Sequence, residues 1–146
     1  MPKRVLLLLL WILVQPAWGD KLSAQQLSEV GSRSLLLCAS ALVYFNPQER
    51  SPDPRSLTSV FHHLNMLDTY ILSLDQPPAL TQPLAAIKRV FAELDGLPRA
   101  QREHYPDLLQ QLLGHHQQLQ QAALDSYAQQ AALNSDSTPL FHAQSQ

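Results

Sequence analysis

The sequence predicts an all-α protein, folded as an antiparallel up-down-up-down four-helix bundle. Three observations lead there. Apolar residues recur at three- and four-residue spacing in four long segments. Prolines fall between those segments and punctuate them. The connections are short, so successive helices must double back and bring their apolar stripes to one core. No internal repeat of about 20–50 residues is visible, and no segment requires a strand.

Residues 1–19 read as a cleaved signal peptide. Met1-Pro2-Lys3-Arg4 is a basic start, Val5 to Val14 is unbroken apolar sequence, and Ala17-Trp18-Gly19 places small residues three and one positions before the cut. The apolar run is about half the roughly 20 residues that span a bilayer, and Pro16 ends it. No membrane span is therefore expected after cleavage. There is no Arg-Arg pair, so the general secretory route is expected. Removing 19 residues from 146 leaves 127, enough for one domain with its own core.

The first helix is expected over residues 23–45. Ser23 with Gln26 three places on is a capping box. Leu27, Val30, Ser34, Cys38, Ala41 and Phe45 form its stripe. Almost every position from Leu35 to Phe45 is apolar, which predicts that this helix is the most enclosed of the four. After a loop over residues 46–53, Asp53 caps the second helix and Pro54 occupies its first turn, where a missing N–H costs nothing. Leu57, Val60, Phe61, Leu64, Leu67, Ile71 and Leu74 give that helix a clean repeat. Gln76-Pro77-Pro78 breaks it.

The third helix is expected to start near residues 81–83, with Leu84, Ile87, Phe91 and Leu94 facing inward, and to end at Gly96. Pro98 and Pro106 bracket a short helical turn. The fourth helix is expected over residues 106–133, with Leu108, Leu109, Leu112, Leu119, Ala123 and Tyr127 as its stripe. The bundle domain is thus residues 20–134, and residues 135–146, which have no apolar period, are expected to form a flexible tail.

Composition narrows the class of partner. The formal net charge is −2, and loss of Lys3 and Arg4 with the leader takes it to −4. A mildly acidic surface argues against nucleic acid and against anionic membranes. Cys38 is the single cysteine, so no internal disulfide can form, and the chain after residue 19 has no Asn-x-Ser/Thr acceptor. Both features fit a bacterial periplasmic or secreted protein better than a eukaryotic secreted one. Cys38 follows Leu35-Leu36-Leu37, but more than thirty residues separate it from the basic start, which argues against a lipoprotein cysteine.

Candidate chemistry is sparse. His62, His63, His104, His115, His116 and His142 include no His-x-x-x-His, His-Glu-x-x-His or Glu-x-x-His pattern. Neighbouring histidines point about 100° apart on a helix, so neither adjacent pair chelates one ion easily. Without Cys-x-x-Cys-His, covalent haem is excluded, and Met66 falls opposite the stripe of its helix, the wrong side for an axial ligand in the core. Neither a cofactor nor a metal is expected. Glu93, Asp95, Glu103 and Asp107 gather near the third connection, where acidic residues are ordinary partners of helix starts. Cys38, Asp68 and His116 have the residue types of thiol chemistry, but a thiol in apolar surroundings is inert. No catalytic residue is assigned and no enzyme is expected.

Two arrangements stand out. His62 and Met66, four apart and both turned away from the core, form a candidate partner patch. Asp68 and His116 interrupt otherwise apolar stripes and form a candidate buried polar pair. At about 1.5 Å per residue they lie roughly 21 Å and 15 Å from the starts of two helices that run from the same end. Such a pair would raise the pKa of His116 and lower that of Asp68. Gln110, Gln111, Gln117, Gln118, Gln120, Gln121, Gln129 and Gln130 give the last helix a polar face able to hydrogen-bond widely without desolvating charge. The functional expectation is a non-enzymatic binding or adaptor protein of the bacterial envelope that recruits another envelope protein through exposed helix faces. The alternative is a periplasmic bundle that binds a ligand or metal with His and Met side chains.

Overall fold

A computed structural model describes residues 22–74 and 78–136. The expected signal peptide and residues 137–146 of the expected tail lie outside them. Among the described residues there are four α-helices and no strand: α1 (Ala24–Tyr44), α2 (Pro54–Ser73), α3 (Pro78–Gly96) and α4 (Tyr105–Asp136). A 3-10 helix, Arg99–His104, links α3 to α4.

The helix starts follow their cap chemistry. The Ser23 N–H donates to Gln26 Oε1 at 2.9 Å and the Gln26 N–H to Ser23 Oγ at 3.1 Å, closing the capping box. Asp53 Oδ1 accepts the Arg55 N–H at 2.9 Å, with Pro54 in the first turn. Two boundaries differ from expectation. Helix α3 begins at Pro78, because proline suits a first turn that has no N–H to place. Pro83 then sits inside the helix and forgoes the bond its N–H would have made one turn back. Helix α4 runs from Tyr105 to Asp136, two residues into the segment expected as tail.

The bundle is two antiparallel hairpins, α1 with α2 and α3 with α4, joined chiefly where α1 packs on α4. Contacts on α1 climb as those on α4 fall: Gly31 near Gln120, Ser34 on His116, Phe45 on Tyr105. That order makes the two helices antiparallel. The seam between α2 and α3 is the loosest, bridged by an Asp68–Lys88 ion pair at 3.3 Å and an edge-on Phe61–Phe91 contact. Helices α2 and α4 therefore stand on opposite corners. Val30, Leu37, Ala41, Val60, Leu67, Leu80, Ile87, Leu94, Leu112 and Leu119 fill the space between.

One end of the bundle is sealed by aromatic rings. Phe45 meets Tyr44, Phe91 and Tyr105 edge-on at centroid distances of 4.8, 5.9 and 5.2 Å, the arrangement that aromatic quadrupoles favour. Arg99 lies over Tyr44 and Tyr105. Its guanidinium donates to the carbonyls of Tyr44 (2.8 Å), Asn46 (3.2 Å) and Glu49 (2.7 Å). Arg102 donates to Pro47 O at 3.0 Å. Helix ends leave carbonyls without intrahelical partners, and these two arginines supply donors to the end of α1 and the loop after it.

Arg99→Ala should lower stability by about 1–2 kcal/mol, since hydrogen bonds from a charged donor are lost while water can reach the carbonyls of Asn46 and Glu49. Arg99→Lys should recover less than half of that, because an ammonium cannot fork across three carbonyls. Urea denaturation followed by circular dichroism measures both.

Candidate functional site

The candidate Asp68–His116 pair does not form. Asp68 sits at the edge of α2 toward α3 and takes Lys88 as its partner. His116 is buried on α4 and its Nδ1 is hydrogen-bonded to Ser34 Oγ on α1. The axial heights agreed, but α2 and α4 occupy opposite corners with core side chains between them. Ser34 belongs to the expected stripe of α1, the helix that does adjoin α4. Its position opposite His116 follows from antiparallel register, which was the available signal.

The pKa of His116 moves opposite to the shift that pairing with Asp68 would have given. With no carboxylate beside it, burial disfavours the charged imidazolium and lowers the value. The Ser34 hydroxyl can donate to an unprotonated Nδ1, which satisfies both buried groups. No buried side-chain N or O among the described residues lacks a partner. Serine bonded to histidine has the form of a nucleophile with its base. Here the hydroxyl is fully buried and no carboxylate is seen to orient the ring, so a substrate carbonyl has no approach. The pair joins α1 to α4.

Cys38 lies in the core, and burial pushes its thiol up to about 11, so it stays protonated and unreactive at neutral pH. His62 and Met66 are both exposed on α2, beside Phe61, which is also partly exposed. The rings of His62 and His63 are 5.5 Å apart and inclined at 62°. Among the described residues no three His, Cys, Asp or Glu side chains come together as a metal site would need. Gln110, Gln111, Gln117, Gln118, Gln120 and Gln121 are exposed, while the side chains of Gln129 and Gln130, and all of His142, lie outside the description. Glu93, Asp95, Glu103 and Asp107 are exposed near the α3–α4 connection, with Asp107 in the first turn of α4.

The main departure concerns α1. Its inward side is buried as expected, yet Leu35 (59% exposed), Leu36 (50%), Leu42 (45%) and Val43 (67%) project from the opposite side. Steps of three, four and seven residues put these four around Ala39 on one helical face. Ser32 and Ala39 are exposed on the same face, and no charged residue interrupts it from Ser32 to Val43. Sequence reasoning took all-round apolarity as a mark of enclosure. Helices α2 and α4 flank α1 on one side only, and among the described residues nothing covers its outer face.

Two open grooves flank α4. The one against α3, about 450 Å³, is lined by Gln82, Pro83, Arg89, His115 and Gln118 with three alanines. The one against α1, about 290 Å³, is lined by Leu27, Gly31, Gln120, Ala123 and Leu124. Comparison with protein-family models, with curated proteins and with solved structures finds no match.

The burial of His116 has a consequence for pH dependence. Because its folded pKa lies below the ordinary 6.5, the unfolded chain binds the proton more readily. The stability gained by keeping the ring neutral is complete above that ordinary value and is lost as pH falls through it toward the depressed one. His116→Gln should flatten the fall in stability between about pH 7 and pH 5, measured by urea denaturation across that range. An unchanged slope would mean that the ring does not titrate in the fold as described.

Proposed function

We propose that this chain is an exported, non-enzymatic helical binding protein of the bacterial envelope, one that recruits another polypeptide through exposed helix faces. The observation that carries this reading is the outer face of α1. Four aliphatic side chains stand together on it without a charge among them. Contiguous exposed apolar surface of this kind marks interaction sites on soluble proteins. The partner it suits is an uncharged, apolar helix face, since a charged one would lose its hydration without compensation.

The His62–Met66 patch on α2, with Phe61 beside it, is a second exposure of the same kind and suits a separate contact. The leader sequence supports export, and the single buried cysteine suits a periplasmic or secreted setting. The runner-up reading is a ligand-binding bundle. The groove between α3 and α4 favours it, because Arg89, His115, Gln82 and Gln118 line one recess with polar groups.

Photo-crosslinking in intact cells tests the docking face. A photoreactive residue at Leu36 or Val43 should capture a polypeptide, and one at Gln111 on the polar side of α4 should not. Leu36→Lys should abolish capture from Val43 while changing stability by less than about 0.5 kcal/mol, since Leu36 is outside the core. Equal capture from all three positions, or none, would remove the reading.

A further inference from the structure

We propose that the Ser34–His116 pair is a proton-operated latch: the neutral ring holds the two hairpins together along α1 and α4, and protonation of the ring parts that seam while each hairpin keeps its helices. The device does not depend on what the outer face of α1 binds.

The pair sits where the bundle is most easily divided. Within each hairpin the two helices pack more extensively than the hairpins pack against each other. The hairpins meet chiefly through α1 and α4. The α2–α3 seam adds the Asp68–Lys88 ion pair, whose lysine is half exposed, and the Phe61–Phe91 contact. An ion pair so open to water contributes little. The α1–α4 seam is itself unevenly filled. One turn from the pair on either helix, Gly31 and Gln120 line the open groove of about 290 Å³. Solvent therefore reaches within a turn of the ring. His116 keeps 7% of its own surface accessible, so a proton has a short path to it.

The neutral ring suits this place and the charged ring does not. Unprotonated Nδ1 accepts the Ser34 hydroxyl. Once protonated, Nδ1 becomes a donor and the hydroxyl can turn to accept, but the imidazolium has no counter-ion. Burial is the cause of the lowered His116 pKa, with no contribution from a charged neighbour. The charged groups of the surrounding elements are engaged elsewhere. On α1, Glu29 pairs with Arg33, which lies over Tyr70 of α2, and Cys38 is a neutral thiol. On α3, Lys88 holds Asp68 of α2, and Arg89 lines the other groove with His115. Glu93 and Asp95 are exposed near the connection to α4. Before α4, Arg99 and Arg102 donate to carbonyls of the α1 end and its loop, and His104 lies beside Glu103. On α4 itself, Asp107 is in the first turn and Asp125 accepts from Gln121. A buried charge without a partner is strongly disfavoured. Parting the α1–α4 seam rehydrates it, and needs neither hairpin to unfold.

Cys38 reports the opening. It follows Ser34 by one turn on the same side of α1, is 2% exposed, and is the single cysteine of the chain. The test measures its reaction with a pyridyl disulfide in the purified protein. Each rate is divided by that of the urea-unfolded chain at the same pH, which removes the pH dependence of the thiol chemistry. The corrected rate should rise several-fold between about pH 7.5 and pH 5, a tenfold rise corresponding to one pKa unit between the closed and open ring. Circular dichroism should keep its helical signal across that range. At pH 5 the rate should be insensitive to urea below the unfolding transition, the mark of a local opening. His116→Gln should flatten the profile, and His115→Gln, which alters the exposed neighbour, should retain it. A flat wild-type profile would overturn the latch, and so would a profile that His115→Gln removes. A pH 5 rate that follows urea with the full slope of global unfolding would overturn it as well, and that measurement decides the matter even if His116→Gln fails to fold.

Discussion

Helix α1 is apolar around its circumference through its last three turns, and a four-helix bundle can cover only one side of any member. That mismatch governs the molecule. The covered side supplies Val30, Leu37, Cys38, Ala41 and Phe45 to the core, and α2 and α4 assemble against it. The other side keeps Leu35, Leu36, Leu42 and Val43 in solvent. A helix that is apolar all round is normally buried all round. Among the described residues of this chain, none supplies the missing cover.

The interior is arranged to be inert. Ser34 and His116 satisfy one another across α1 and α4, and Cys38 is held as a thiol by desolvation. Arg99 ties three carbonyls of the α1 end and the following loop to the segment that leads into α4, while its guanidinium rests on two rings of the aromatic seal. These contacts connect one hairpin to the other at the end of α1 and the loop after it. One link joins α1 to α4 directly and the other holds the end of α1 against the segment before α4, so the position of α1 is fixed from two levels of the bundle.

Periodicity made most of the fold legible. The capping box at Ser23, the Asp53-Pro54 start and the stripes of α1, α3 and α4 lie where three- and four-residue spacing places them. Boundaries set by proline were harder, because Pro78 can open a helix as well as end the preceding segment. The site was less legible than the fold. Axial height along two helices brought Asp68 within about 6 Å of the level of His116, but spacing along one helix does not say which helices adjoin. Lys88 and Ser34, on the true neighbours, took those partners instead. The Arg99 clamp had no local signature, since its acceptors lie about fifty residues away in sequence. The outer face of α1 was visible as sequence, yet apolarity alone does not distinguish a buried side from an uncovered one.

Hydroxyl-radical footprinting tests the central claim most directly, by comparing dilute purified protein with the protein in its native cells. The account predicts that Leu35, Leu36, Leu42 and Val43 oxidise readily in the dilute protein and are protected in the cells, while Leu113 and Leu124 on α4 react alike in both. Equal reactivity of the α1 residues in the two settings would show that nothing covers the face, and would contradict the account.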